Sequence, residues 1–297
     1  MSWTSRVREI INSGLAVAGL QVNTTRAQRV EADRIDSLVL QGHWSEPYFV
    51  EAMNFEPGRF RAFLQEVCIP YRNDYTKLPG VAAVSDGFFV RNGWFQAVDA
   101  EVLYSVLRHF QPRLVIEVGS GFSTKLMRRA ITDGNLPTRI RSIDPDPRVD
   151  ISRCADEHLK CPVEHSDPVA LADCLQPGDI LFIDSSHMVQ AGGDVPYLFL
   201  KIIPRLRPGV LIHIHDIYLP FEYPLEWVSV PCWNWSEQYL VQAFLYRNAE
   251  FETLWAGHYM WRMHREDVVR IIPCNGEAGL PSSLWLKKVT SAGWRTC

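Results

Sequence analysis

From Asp99 onward the chain alternates two apolar patterns. Val102, Leu103, Val106 and Leu107 recur at helical spacing behind Asp99, which can cap that helix. Pro112 then opens an apolar, β-branched run that stops at Glu117-Val118-Gly119-Ser120-Gly121. Ser123 and Thr124 can cap a helix over Lys125–Ile131. A second strand, Arg139–Ile143, ends at Asp144, and a weak third is expected near Cys161–Glu164, with His158 in helical or loop material before it. Gly178–Asp184 reads as a fourth strand that again ends on an acid. Leu198, Phe199, Ile202, Ile203 and Leu206 return to helical spacing, with Pro204 set to shorten the helix. Arg207-Pro208-Gly209 breaks the chain before a fifth strand, Val210–His215, that ends at Asp216. Strands alternating with helices predict an α/β fold, a parallel sheet with helices on both faces.

The flanks are less regular. Residues 1–95 show no sustained period beyond helical stretches at Trp3–Ala18 and around Arg59–Val67, with aromatics and turn residues between them. They are expected to form an N-terminal, mostly helical cover, with residues 96–297 as the sheet domain. Within the cover, Val84–Phe95 mixes two glycines with four aromatics and suits a lid over a bound cofactor. Beyond Asp216 lies a loop dense in aromatics: Tyr218, Phe221, Tyr223, Trp227, Trp233 and Trp235. It can serve as an acceptor wall or as a hydrophobic cover on the sheet edge. Ser236 caps a helix with Leu240, Ala243 and Phe244 on its expected buried face, and Phe251–Leu254 and Ser283–Leu286 read as final strands.

Composition narrows the classes. At 297 residues and 47% hydrophobic, the chain can bury a sizeable core. A net charge of −4 with no basic block argues against nucleic acid as a partner. The seven cysteines form no Cys-x-x-Cys pair, which fits free thiols in a reducing, cytoplasmic setting. No apolar run approaches the ~18 residues of a membrane span. Ile10–Val22 is diluted by Asn12, Ser13 and Gln21 and reads as a short amphipathic helix rather than a signal peptide.

Strand, glycine turn, helix is how a parallel sheet opens a nucleotide crevice. Here Thr124 stands where the dinucleotide fingerprint needs its third glycine, which counts against a nicotinamide cofactor. Every parallel strand presents its C-terminal end to one edge, so Glu117, Asp144, Asp184, His215 and Asp216 gather there. Clustered carboxylates repel and need partners: ligand hydroxyls, a cationic cofactor or a metal.

Three blocks in order, Ile116–Gly121, Phe182–His187 and His213–Asp216, make the segment from Asp99 to about Leu286 resemble class I S-adenosylmethionine-dependent methyltransferases. It looks most like a bacterial family akin to metal-dependent small-molecule O-methyltransferases. The resemblance implies a Rossmann-like seven-stranded sheet closed by an antiparallel hairpin. It also implies roles. Gly119 and Gly121 would admit the methionine part of S-adenosylmethionine, with Glu117 near its amino end. Asp144 would take the two ribose hydroxyls, and Ser166 and Asp167 would lie near the adenine.

Asp184, His187, His215 and Asp216 are the sharper set. In catechol-type and sugar methyltransferases, acids after the fourth and fifth strands hold a divalent metal. This chain adds His187 and His215, and imidazole favours a transition metal such as iron or manganese over magnesium. The expected activity is O-methylation of a small molecule, a sugar or hydroxylated natural product, with Asp184, His187 and His215 catalytic. One rival is a metal-independent methyltransferase, on oxygen or nitrogen, with His187 or His215 as general base. Another is a non-catalytic cofactor-binding interaction protein. A homo-oligomer fits equally with a monomer.

Overall fold

The computed structural model describes residues 3–18, 22, 25–48, 53, 55–82, 87–229, 234–273 and 279–290. The chain forms two compact units, one of residues 1–46 with 224–233, the other of residues 47–223 with 234–297. The first holds helices Trp3–Leu15 and Arg26–Leu40 and a short turn, Leu225–Val228. Its first helix is followed by a turn in which the Asn12 amide both donates to and accepts from the backbone of Val22.

The second unit is built on a seven-stranded sheet. Its strands are β1 (Leu114–Val118), β2 (Arg139–Ile143), β3 (Glu157–Leu159), β4 (Ile180–Ile183), β5 (Leu211–Ile214), β6 (Phe251–Ala256) and β7 (Leu284–Lys288), in the order β3-β2-β1-β4-β5-β7-β6. The first five run parallel, and β7 is antiparallel to both β5 and β6. This is the seven-stranded Rossmann-like sheet closed by an antiparallel hairpin that the resemblance implies. β1, β4 and β5 are buried at every position, which explains why they are apolar apart from Glu117 and His213: both faces are covered. Register brings the strand ends level, since Val118 pairs with both Ile143 and Ile183, and Ile183 pairs with Ile214. The residues that follow therefore meet at one edge.

Residues 47–95 belong to the sheet unit by their contacts. Helix Pro57–Phe63 runs on through a wider turn, Leu64–Cys68, and sets Phe60 and Phe63 against Trp255 of β6. Burying these aromatics joins the segment to the main core.

Several local expectations shift. β3 is Glu157–Leu159 and contains His158; the apolar pair expected near Cys161–Glu164 gives a short turn instead. Pro162 cannot donate to a sheet ladder and starts that turn. Asp99 does not cap its helix: its carboxylate accepts from Ser282 N at 2.8 Å and Ser283 N at 3.2 Å, which fixes the chain entering β7. The helix after Ser236, Glu237–Leu245, buries Glu237, Gln238 and Val241, while Ala243 is exposed. Two polar side chains take the inward face because both have buried partners, described below. Among the described residues no helix is long and apolar enough to cross a membrane.

Candidate active site

The glycine turn after β1 is built by close approach to β4. Gly119 has φ +79°, and a Cβ there would lie 1.9 Å from the Asp184 carbonyl oxygen. Its glycine is demanded by the protein's own backbone, not by a ligand. Gly119 N donates to Ile143 O at 3.1 Å, and Asp184 N donates to Val118 O at 2.9 Å, so the ends of β1, β2 and β4 are tied together. Gly121 differs. A Cβ there would meet only the Arg148 Cβ, at 3.9 Å. This side of the turn is open, and a ligand can lie against it.

Glu117 is fully buried beneath the turn. Its two oxygens accept from Ser123 Oγ and Thr124 Oγ1, each at 2.7 Å. Burial pushes its carboxyl up to about 8, against those hydroxyls. The helix Phe122–Gly134 is capped through Gly121, whose N–H donates to Thr124 Oγ1 at 3.0 Å. Ser123 and Thr124 therefore sit inside the first turn rather than before it, and they bind Glu117 from there.

Asp144 reaches back to the turn. Its Oδ2 accepts from Ser120 N at 2.7 Å and Ser120 Oγ at 2.9 Å, and its Oδ1 accepts from Asp146 N at 2.8 Å. A carboxylate offers about four acceptor positions, so about one remains. Ser166 and Asp167 serve the loop after β3. Ser166 Oγ donates to Val163 O, its carbonyl accepts from Tyr197 OH, and Asp167 caps Pro168–Cys174 by accepting from Val169 N and Ala170 N.

Beyond β4 and β5, Asp184, His187 and Asp216 offer ligand atoms within 4.8 Å of one another. His187 Nε2 lies 3.4 Å from Asp184 Oδ1 and 3.5 Å from Asp216 Oδ2. His187 and Asp216 both have left-handed backbones, φ +58° and +55°, uncommon for residues other than glycine. Asp216 Oδ1 also accepts from Ser282 Oγ at 2.9 Å. Burial would raise the Asp184 carboxyl, yet His215 and His187 hold it below the usual carboxylate range. Burial likewise opposes charge on His187, but Asp184, Glu237 and Asp216 lift its proton affinity well above normal.

His215 stands outside this group. Its Nε2 is 3.8 Å from Asp216 Oδ1, its buried Nδ1 has no hydrogen-bond partner among the described residues, and its ring packs on Phe95 at 4.8 Å. His213 is a core group: it stacks on Phe182 at 3.9 Å, bonds Ser283 Oγ through Nε2, and burial keeps it neutral. Of the aromatic loop, Tyr218, Phe221 and Tyr223 are buried, and Trp235 packs on the His187 ring at 4.4 Å. Trp233 lies outside the described residues. So does the start of the expected lid, Val84–Asp86. Its described remainder is organised by Asn92, which bonds the backbone of Phe89, Trp94 and Phe95. Trp94 carries Arg148 on its face at 3.4 Å, beside Gly121.

Sequence reasoning missed Glu237, whose Oε2 lies 2.9 Å from His187 Nδ1 with no exposed surface. The available signal was an acid directly after the serine expected to cap the helix, which reads equally well as ordinary helix-start chemistry; the Ser236 hydroxyl does not cap and instead accepts from Val189 N at 2.9 Å.

No curated protein matches the chain. An O-methyltransferase from Bacillus cereus, solved with SAH, aligns over 86% of this chain and 99% of its own, at 12% identity and a TM-score of 0.42. An SAH-bound methyltransferase from Podospora anserina aligns over 91% and 99%, again at 12% and 0.42. Residues 116–217, from β1 to just past β5, match the family described as "Methyltransferase domain".

Proposed function

We propose that this chain is an S-adenosylmethionine-dependent methyltransferase acting on an oxygen of a small hydroxylated acceptor, such as a sugar or natural product. In this reading Asp184, His187 and Asp216 hold a divalent metal. One observation carries it: Asp184 belongs to both halves of the site. Its backbone closes the glycine turn against Gly119, and its side chain belongs to the Asp–His–Asp group. A cofactor on the open side of Gly121 and a metal on that group are thus neighbours by construction. The family match over residues 116–217 supports the methyltransferase assignment.

The residues fit both groups. Gly121 leaves the space a methionine chain needs, and Asp144 keeps about one acceptor position for a ribose hydroxyl. Ser166 and Asp167 shape the loop we assign to the adenine. Two carboxylates and one imidazole form a donor set suited to manganese or iron. When bound, such a metal lowers the pKa of an acceptor hydroxyl and orients it. The protein's own part is alignment: Asp184 fixes the distance between turn and group, and Trp235 and Tyr223 wall the acceptor side. A second reading rests on the Nδ1 of His215, which has no hydrogen-bond partner among the described residues. There His215 takes the acceptor proton and no metal is needed. Among the described residues Cys68, Cys161 and Cys174 are free thiols, which supports our reading of a reducing, cytoplasmic compartment.

Calorimetry with S-adenosylhomocysteine, followed by elemental analysis of the same sample, tests this. Saturable binding and a stoichiometric transition metal are expected. Absence of cofactor binding by the intact protein removes the assignment. Binding with no metal and full turnover in chelator moves the function to His215.

A further inference from the structure

His187 is held by one short segment from three directions. Its carbonyl accepts from Ser236 N at 2.8 Å and Glu237 N at 3.1 Å. Its Nδ1 faces Glu237 Oε2 at 2.9 Å, and Trp235 lies against the ring. The loop before it is pinned as well, because Asp194 accepts from Ser186 N at 2.9 Å and Ser186 Oγ at 2.6 Å. These contacts keep a left-handed histidine in place and aim Nε2 at Asp184 and Asp216. Glu237 is buried, and among the described residues its second oxygen, Oε1, has no hydrogen-bond partner. Burying a carboxylate for one hydrogen bond is costly unless that bond has work to do.

We propose that Glu237 is the positioning residue that holds the proton on His187 Nδ1, keeps Nε2 free as a nitrogen ligand, and so gives the site its preference for transition metals over magnesium. The proposal rests on the metal reading above. A ring with its proton fixed on Nδ1 presents a bare lone pair on Nε2, and a carboxylate partner raises the basicity of that nitrogen. Magnesium gains little from such a nitrogen, since it prefers oxygen and keeps its waters. Cobalt, manganese or iron gain from it. Without Glu237 the ring can carry its proton on Nε2 instead. The site is then reduced to Asp184 and Asp216, an oxygen pair with no bias against magnesium.

The test uses the full chain and three probes: cobalt(II), manganese(II) and magnesium(II) alone, each titrated calorimetrically. Glu237→Gln keeps the shape but offers no carboxylate. It should weaken cobalt binding about 10–100-fold while leaving magnesium affinity within about threefold, so the ratio of the two affinities collapses. A purely structural role would lower both together, and that outcome overturns the proposal. Pulsed electron paramagnetic resonance of the manganese-loaded wild type should show coupling to a histidine nitrogen. This needs no variant, and its absence also overturns the proposal. Asp184→Asn separates the two levels of inference. If wild type and Asp184→Asn both bind no metal, the metal reading fails and Glu237 has nothing to position. If Asp184→Asn loses cobalt while Glu237→Gln retains wild-type affinity and nitrogen coupling, the metal reading stands and Glu237 is only packing.

Discussion

The two glycines of the turn look equivalent in sequence and should fail in opposite ways. Gly119→Ala places a methyl 1.9 Å from the Asp184 carbonyl oxygen on a backbone with φ +79°. The left-handed conformation costs an L-residue about 1–2 kcal/mol. Forcing β1 and β4 apart adds an overpacking cost of about 1–3 kcal/mol. Together these give roughly 2–5 kcal/mol, a large share of the ~5–15 kcal/mol that holds a typical protein folded. At about 2–4 °C per kcal/mol for a large domain, the melting temperature should fall by roughly 4–20 °C. At Gly121 an added Cβ meets only the Arg148 Cβ, at 3.9 Å, so Gly121→Val starts from open space. Its stability should stay within about 1 kcal/mol of wild type, while affinity for S-adenosylhomocysteine falls at least tenfold, or about 1.4 kcal/mol. Thermal melts and calorimetry on both variants give the four numbers. A Gly119→Ala protein as stable as wild type would show that the turn does not press on β4. A Gly121→Val protein that binds normally would place the cofactor elsewhere.

Asp144→Ala should weaken S-adenosylhomocysteine by about 1–3 kcal/mol and leave metal affinity unchanged, which calorimetry with each ligand resolves. Chelator treatment should abolish turnover, with manganese or iron restoring it better than magnesium; full restoration by magnesium alone counts against His187 as a ligand. Metal affinity should fall as pH drops, because His187 holds a proton more tightly than usual and must release one to bind; a pH-independent affinity would contradict this. Glu117 keeps its proton in the fold up to about 8, whereas the unfolded carboxyl ionises near 4.5. Its stabilising effect is therefore full below 4.5 and lost as pH rises through about 8. Urea melts of Glu117→Gln across that range should lose this part of the pH dependence.

The sheet was legible because burial on both faces writes itself as unbroken apolar runs. β4 is such a run, and β1 and β5 are each broken by one buried polar residue, Glu117 and His213, while Asp184 and Asp216 fall just after their strands. β3 was misplaced because it is an edge strand of three residues, Glu-His-Leu, with no apolar pattern to find. The inward face of Glu237–Leu245 was read only in part, for the converse reason. Apolar spacing pointed to Leu240, Ala243 and Phe244; Leu240 and Phe244 do pack on the core while Ala243 is exposed, and the helix also turns Glu237 and Gln238 inward toward buried polar partners: Glu237 pairs with His187, and Gln238 Oε1 accepts from Tyr218 N. Periodicity reports hydrophobic contact and is silent about satisfied polar contact.

The same silence separates His187 from His215. His187 follows the acid after β4 and His215 directly precedes the acid after β5, and sequence spacing gives each a claim on the site. Register sets β4 and β5 side by side and so places Asp184 and Asp216 together, but it does not say which ring enters between them. That is decided some fifty residues later, where Trp235-Ser236-Glu237 returns to grip His187 while His215 is left against Phe95. A ligand needs its unused nitrogen committed elsewhere, and His187 has Glu237 for that purpose. His215 Nδ1 has no hydrogen-bond partner among the described residues and its Nε2 lies outside the group. If the site binds metal, substitution at His187 should therefore cost affinity that substitution at His215 does not. A His215→Asn variant that loses metal as completely as His187→Asn would show that His215 also reaches the ion.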